Sequence, residues 1–120
     1  MEAAMQVSTI DQRKEIPWDA IQSVVDQIVA GFSPRKIVLF GSYASGRHQP
    51  ESDVDLLVVM DTMKSEVMQA VEIMREINYC FGLDLVVYAP QRLEQRLEWG
   101  DHFLHEIINN GKVMYESLDA

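Results

Sequence analysis

The chain has 120 residues, of which 48% are hydrophobic, and this size fits a single domain with one core. The formal net charge of −9 excludes an extended nucleic-acid footprint and favours a basic protein partner, because binding long nucleic acids depends on lysine and arginine. No apolar run reaches the roughly 18 residues of a membrane span, and no secretory signal is visible. We therefore expect no membrane association and a cytoplasmic location.

The first elements predicted along the chain are a tail, a helix and a strand. We expect residues 1–15 to form a tail or a short extra helix and residues 16–120 to form one domain. After Pro17, apolar residues recur at helical spacing as far as Phe32, which predicts an amphipathic helix that covers a sheet. The short, branched run Ile37–Phe40 predicts a buried strand.

The most informative stretch follows this strand and reads GSYASGRHQPESDVD, from Gly41 to Asp55. A glycine at the end of a strand permits a sharp turn and the close approach of another group. Ser42 is expected to cap a short helix and to offer its hydroxyl to a phosphate. A turn at residues 50–52 then leads into a second apolar run, Val54–Met60, which predicts a second strand.

Asp53 and Asp55 are predicted to point the same way, because side chains alternate along a strand. Two residues of strand separate their Cα atoms by about 6.5 Å, so both carboxylates can converge on metal ions. Two such carboxylates repel each other when no cation is bound, and aspartate is depleted in strand interiors. An isolated D-x-D is usually a solvated loop, but its spacing from the Gly-Ser pair favours a functional site.

The next predicted elements are a helix and a third strand. The run from Ser65 to Tyr79 is amphipathic and predicts a flanking helix, with Gln69 on its solvent side. Its predicted inward stripe consists of Val67, Ala70, Val71, Met74 and Ile77. Near the end of this helix, the single cysteine, Cys80, is expected to be a packed thiol. The run Leu83–Tyr88 predicts the third strand.

The third strand carries another carboxylate, Asp84. If this strand lies beside the second one, three carboxylates meet at one edge of the sheet. Two divalent ions about 3.5–4 Å apart can then bind a triphosphate, lower the pKa of an attacking hydroxyl and stabilise the leaving pyrophosphate. Asp84 would be the general base or the ligand nearest the nucleophile.

The C-terminal part predicts two short helices, Gln91–Trp99 and Asp101–Asn110, and then an edge strand, Lys112–Tyr115. The residues expected to face inward are Leu93, Leu97, Phe103, Leu104, Ile107 and Ile108. His102 and His105 are interpreted as surface residues, because two ligands do not make a zinc site. Several large apolar residues fit either the core or a face for a partner, namely Trp18, Met63, Met68, Met74 and Trp99.

The segment FGSYASGRHQPESDVDLLVV, with LDLVVY downstream, resembles the minimal nucleotidyltransferase domain of the DNA polymerase beta superfamily. The resemblance implies an α/β (α+β) fold with a small mixed sheet flanked by helices. It also implies two Mg²⁺ ions, ATP or another nucleoside triphosphate as donor, and an acceptor hydroxyl. Gly41 and Ser42 then match the phosphate-binding pair, and Asp53, Asp55 and Asp84 match the catalytic metal ligands.

Tyr43 and Arg47 complete the nucleotide-binding set that we expect. Many relatives carry arginine where Tyr43 or Ser45 stands, so Arg47, Arg35 and Lys36 are candidate substitutes for its charge. Tyr43 either stacks on a base or packs inside the domain.

Three functions stay open. The resemblance extends to stand-alone domains that act as the antitoxin of a helical HEPN ribonuclease, and it implies transfer of AMP from ATP to a hydroxyl of that partner. The second function is a catalytically weak binding module that neutralises a partner by covering its active site. The third is transfer to a small molecule such as an antibiotic, for which a partner subunit or a homo-oligomer would have to complete the acceptor pocket.

Overall fold

The computed structural model describes residues 15–118. Within these residues the chain forms five helices and four strands: α1 (Trp18–Phe32), β1 (Lys36–Phe40), α2 (Ser42–Ser45), β2 (Val54–Val59), α3 (Glu66–Glu76), β3 (Leu83–Tyr88), α4 (Pro90–Glu98), α5 (His102–Asn110) and β4 (Lys112–Glu116). The predicted tail at residues 1–15 lies outside the described residues except for Glu15, and the domain boundary stays a prediction.

The four strands form one mixed sheet in the order β3-β2-β1-β4. β1 is antiparallel to both β2 and β4, whereas β2 and β3 are parallel. A parallel pair needs a crossover connection, and α3 lies in the one that joins β2 to β3. The predicted strands and the small mixed sheet flanked by helices are confirmed.

Helices cover both faces of the sheet. On one face, α1 and α3 pack against the residues of β2 that share a side, which are Val54, Leu56 and Val58. On the other face, α4 and α5 pack against Leu57 and Val59 of β2 and Val38 of β1. Because side chains alternate along a strand, Asp55 belongs to the same face as Leu57 and Val59.

The predicted inward stripe of α3 is wrong in part. Val67 is 73% exposed and Val71 is also exposed, whereas Gln69 is buried at 5%. The Thr62 hydroxyl donates to the Gln69 side-chain oxygen at 2.8 Å, and the Gln69 amide donates to Glu72 at 2.9 Å. These bonds satisfy the amide, so the helix can turn Gln69 inward. The other predicted inward residues do contact the core: Ala70, Met74 and Ile77.

The inward face predicted for α5 is also correct only in part. Leu104 and Ile107 are buried, but Phe103 is 52% exposed and Ile108 is exposed as well. A helix lying on a sheet buries only one stripe, so neighbours of that stripe stay at its edge. Phe103 packs edge-on against Phe40, with ring centroids 5.7 Å apart.

The C-terminal histidines lie at the surface as predicted. His102 is exposed, and so is His105. A ring nitrogen of His105 lies 2.8 Å from the carbonyl oxygen of Leu97, which ties α5 to α4.

Cys80 is exposed rather than packed, because α3 ends at Glu76 and leaves this residue in the following loop. The core interpretation is wrong for four large apolar residues, which are exposed: Trp18, Met63, Met68 and Trp99. The ammonium of Lys112 lies 4.7 Å above the centroid of the Trp18 ring. No helix in the described part is long and apolar enough to cross a membrane, and the cytoplasmic location stays a prediction.

Candidate active site

Three aspartates and the Gly-Ser turn lie at one edge of the sheet. Asp55 of β2 is paired in register with Asp84 of β3, and Asp53 comes immediately before β2. Phe40, the last residue of β1, is paired with Asp55, so the following Gly41 lies at the same edge. The sequence prediction that Asp84 joins Asp53 and Asp55 therefore agrees with the strand register.

Gly41 is required by both its conformation and its surroundings. Its φ is +77°, a region that favours glycine, and a Cβ there would overlap the carboxylate of Asp55. Gly41 itself is the N-cap of α2, because its carbonyl accepts the backbone N–H groups of Ala44 and Ser45. The prediction that Ser42 caps this helix is therefore wrong, since Ser42 is already its first residue.

The start of α2 offers hydrogen-bond donors to an anion. The first N–H groups of a helix have no acceptor within the helix, and here they belong to Ser42 and Tyr43. The Asp55 carboxylate lies directly against Gly41, the residue before them. A phosphate chain bound by these N–H groups would therefore have its other end close to the aspartates.

Gly82 supports Asp53 in the same way that Gly41 supports Asp55. A Cβ at Gly82 would overlap an oxygen and the carboxyl carbon of Asp53. The turn before β3 therefore fits against the Asp53 carboxylate only because residue 82 has no side chain. This contact was not predicted from the sequence.

Replacing Gly82 with alanine is expected to push the exposed Asp53 side chain aside and to lower nucleotide transfer at least about 10-fold, because supports of metal ligands matter on that scale. The transfer rate and the melting temperature are measured together, since the fold should survive. The matched control is Gly31→Ala, where nothing lies within 4 Å of the added Cβ. Equal transfer rates in the two variants would contradict this role.

The electrostatics show that Asp55 is close to the other two carboxylates. The pKa of Asp55 is raised to about 6 from an ordinary 3.8. Burial is the largest cause, followed by a hydrogen bond with Asp84 and by repulsion from Asp84 and then Asp53. Such a cluster of carboxylates favours either a shared proton or a bound cation.

The donor set suits magnesium, because Mg²⁺ prefers carboxylate and phosphate oxygens. Nevertheless, within residues 15–118 no three His, Cys, Asp or Glu side chains are positioned as they stand to hold one ion. Asp84 already forms a hydrogen bond with Asp55, and the exposed Asp53 side chain is free to turn toward these two carboxylates. We conclude that the residue types and the strand register fit the metal, and that closing the site requires side-chain rotation.

Tyr43 packs inside the domain. Its side chain is buried, its hydroxyl accepts a hydrogen bond from the backbone N–H of Ile16 at 3.1 Å, and its ring stacks on His48 at 4.2 Å between centroids. Of the two alternatives for the ring, the structure favours packing. A contribution of Tyr43 to donor binding stays a prediction and rests on its backbone N–H.

The three candidate cations are divided between the two ends of β1. Arg47 lines a cavity together with Gly41 and Ser45, beside the predicted phosphate site. Arg35 instead pairs with Asp61 at 2.9 Å, at the opposite end of the strand. Lys36, at that same end, lies 3.8 Å from Glu116. Of these three, Arg47 alone lies beside the predicted phosphate site, and its role as a substitute cation stays a prediction.

Comparisons with known proteins identify the family to which this sheet and its aspartates belong. The family model described as polymerase beta, nucleotidyltransferase matches residues 23–119. The chain therefore belongs to the polymerase beta nucleotidyltransferase family, and it is a nucleotidyltransferase.

A curated relative and two solved structures are similar to this chain. The relative, from Methanocaldococcus jannaschii, is named "Putative protein adenylyltransferase MJ0604" and is 29% identical over 98 residues, which are 80% of this chain and 95% of the relative. A crystal structure named as a nucleotidyltransferase from Sulfolobus solfataricus is 19% identical, with a TM-score of 0.55 over 72% of this chain and 78% of that one. A toxin–antitoxin structure with AMP-PNP is 20% identical, with a TM-score of 0.52 over 82% of this chain and 75% of that one. These two structures support the fold alone.

Proposed function

We propose that this protein transfers AMP from ATP to a hydroxyl group of a protein partner in a magnesium-dependent reaction. The observation that carries the proposal is the pairing of Asp55 with Asp84 on adjacent strands, beside Asp53 and the Gly41 turn. Three carboxylates next to exposed backbone donors suit a metal-bound triphosphate better than they suit any other common ligand.

The choice of donor and acceptor draws on the comparisons. The curated relative is named as a protein adenylyltransferase, and one structure of the same fold was solved with AMP-PNP, an analogue of ATP. Both names point to an adenine nucleotide. The structure with AMP-PNP is a toxin–antitoxin structure, and this favours a protein acceptor over an antibiotic.

The roles of the residues follow from their places at the sheet edge. The N–H groups of Ser42 and Tyr43, with the Arg47 guanidinium, would bind the β- and γ-phosphates. Asp53, Asp55 and Asp84 would hold two Mg²⁺ ions. Bound Mg²⁺ would neutralise the charge that develops on the phosphates during transfer.

The chemical step is an in-line displacement at the α-phosphorus. The acceptor oxygen forms a bond to the α-phosphorus while the bond from this phosphorus to the oxygen bridging the β-phosphate breaks. The electron pair of the broken bond leaves with pyrophosphate. Asp84 would accept the proton of the acceptor hydroxyl, as the carboxylate on the β3 side of the site.

The partner in this proposal is a helical HEPN-type toxin, which the protein would neutralise as its antitoxin. A net charge of −9 and exposed large apolar side chains, among them Trp18, Met63, Met68 and Trp99, suit a protein partner with basic and apolar surface. Neither feature suits long nucleic acids.

The test is to incubate the protein with ATP labelled at the α-phosphate, Mg²⁺ and a candidate helical partner taken from a neighbouring gene. We expect label on that protein, and we expect the label to disappear with EDTA and in the Asp53→Asn variant. The matched control is Asp61→Asn, which removes an exposed aspartate at the opposite end of β2. It should keep full transfer.

Two outcomes would replace this function with another. If neither the unmodified protein nor the Asp53→Asn variant transfers label, and the variant still neutralises the partner fully, the protein is a binding module. Label on an aminoglycoside, and none on the neighbouring protein, would indicate a small-molecule transferase.

A further inference from the structure

The segment that follows β1 carries two of the groups to which we assign binding of the triphosphate. Gly41 lies against the carboxylate of Asp55, and Arg47 lines a cavity together with Gly41. Between Gly41 and Arg47 lies α2, which is a single turn of four residues. Because isolated helices this short are not stable in water, contacts with the rest of the domain must hold this segment, residues 41–48, in place.

Two polar side chains tie the 41–48 segment to the residues that precede α1. The Tyr43 hydroxyl accepts a hydrogen bond from the backbone N–H of Ile16 at 3.1 Å, and Nε2 of His48 lies 3.2 Å from a carboxylate oxygen of Glu15. An ionised carboxylate only accepts hydrogen bonds, so Nε2 of His48 is the donor in this contact. The two ties therefore end on consecutive residues, which lie 27 and 33 positions earlier in the chain.

The rings of the same two side chains stack on each other. Tyr43 is the buried side chain of α2, and its ring is nearly parallel to the ring of His48, with 5° between the planes and 4.2 Å between the centroids. Since His48 follows α2 in the chain, the stack also joins the helix to the end of the segment. A movement of α2 would have to break a tie or separate the two rings.

His48 is not the residue that stability alone favours at this place. Within residues 15–118, its Nδ1 is buried and has no hydrogen-bond partner. An unpaired buried nitrogen costs free energy, and a phenylalanine ring would stack on Tyr43 without that cost. Phenylalanine would not supply the hydrogen-bond donor to Glu15. The histidine therefore indicates that this tie has a role beyond stacking.

We propose that Tyr43 and His48 are positioning residues, which hold the 41–48 segment in the orientation that binds the triphosphate of the nucleotide. This inference rests on the proposed function, because it takes the Gly-Ser turn and Arg47 as the groups that bind the phosphates. With both ties in place, binding does not have to order the segment. Without them, only a fraction of the molecules has the segment in the binding orientation, and the apparent affinity falls by that fraction.

The test removes both ties and keeps both rings, in the double variant Tyr43→Phe/His48→Phe. The ligand is α,β-methylene-ATP with Mg²⁺, which is not cleaved between its α- and β-phosphates. We expect its affinity to fall about 10-fold, the effect of losing one hydrogen bond to a charged phosphate. The affinity for AMP, which has no β- or γ-phosphate, should stay the same. Titration calorimetry measures both affinities.

His105→Phe is the matched control, because it makes the same substitution at a histidine that ties α5 to α4, with a ring nitrogen 2.8 Å from the carbonyl oxygen of Leu97. Both affinities of this variant should equal those of the unchanged protein. The melting temperature of the double variant should change by less than about 5 °C, because removal of the unpaired Nδ1 offsets part of the loss. If the double variant does not fold, the two single variants decide, and each should weaken triphosphate binding about threefold.

Hydrogen exchange gives a readout in the unchanged protein. If the ties favour the binding orientation, bound nucleotide must in turn favour the ties. Saturating α,β-methylene-ATP with Mg²⁺ should therefore slow exchange of the Ile16 N–H more than exchange of the Asn78 N–H, which donates to the Gln27 side chain at 2.7 Å. Equal slowing at the two sites would indicate general stabilisation by the ligand, and would contradict the positioning role.

The failures of the two proposals are distinguishable. If the unchanged protein does not bind α,β-methylene-ATP, the proposed function is wrong, and the positioning role with it. If the unchanged protein and the folded double variant bind this nucleotide equally tightly, the positioning role alone is wrong. Equal losses of affinity for AMP and for the triphosphate would also overturn it, because they would indicate a general distortion of the site.

Discussion

Replacing Asp55 with asparagine should lower the rate of AMP transfer by at least about 100-fold, because groups that merely support metal ligands already change activity by 10- to 100-fold. Asp55 is the central carboxylate, in register with Asp84 and in contact with Gly41. The substitution therefore removes the carboxylate that lies between Gly41, next to the predicted phosphate site, and Asp84 of β3. Transfer of labelled AMP at saturating ATP and Mg²⁺ measures this effect.

The same substitution should raise the free energy of unfolding of the metal-free protein at neutral pH. The folded protein raises the pKa of Asp55 from 3.8 to about 6, so it binds this proton more tightly than the unfolded chain does. The ionised carboxylate therefore costs stability above pH 6, and the cost disappears below pH 3.8. After allowance for solvent screening, the gain in Asp55→Asn should be about 1 kcal/mol.

Urea denaturation with EDTA at about pH 7.5 and about pH 3.5 measures this gain, which should be present only at the higher pH. Asp61→Asn is the control, because Asp61 is exposed and paired with Arg35 at the other end of β2. Unchanged transfer in Asp55→Asn, or lower stability of this variant at the higher pH, would contradict the account of the cluster.

Replacing Arg47 with alanine should weaken binding of α,β-methylene-ATP about 10-fold, the effect of losing one hydrogen bond between charged groups. Arg47 lines the cavity beside Gly41 and Ser45, where a phosphate chain bound to α2 would end. In the proposed function, its side chain would contact the donor and not the reacting oxygen. Titration calorimetry should therefore show the loss in affinity, while transfer at saturating ATP falls less.

Arg35→Ala is the matched control for this prediction. It removes the same charge from the far end of β1, where the guanidinium pairs with Asp61. Its affinity for the nucleotide should equal that of the unchanged protein. If Arg35→Ala weakens binding as much as Arg47→Ala does, net charge rather than position explains the effect.

The strands could be predicted from the sequence because each is a short branched run with a clear end. β3 has the predicted bounds, and β2 differs from prediction by one residue at its end. Helix faces were harder to predict. Gln69 turns inward because Thr62 and Glu72 satisfy its amide, and these partners depend on how α3 is seated on the sheet.

The site could be predicted as a set of residues, though not as an arrangement in space. The spacing of Gly41, Asp53 and Asp55 predicted that these residues lie at one edge of the sheet. The place of Asp84 was predicted from the strand that carries it. The contacts of Gly41 and Gly82 with the carboxylates needed the turns in place. The separation of Arg35 from Arg47 depends on which end of β1 each one occupies, and residue type alone does not give this.

The most direct test of the account is the anomalous scattering of Mn²⁺ in crystals grown with α,β-methylene-ATP. The account predicts two manganese peaks between the triphosphate and the carboxylates of Asp53, Asp55 and Asp84, with the terminal phosphates at the N–H groups of Ser42 and Tyr43. A triphosphate bound elsewhere, or manganese with the Asp84 carboxylate turned away from it, would contradict the central claim.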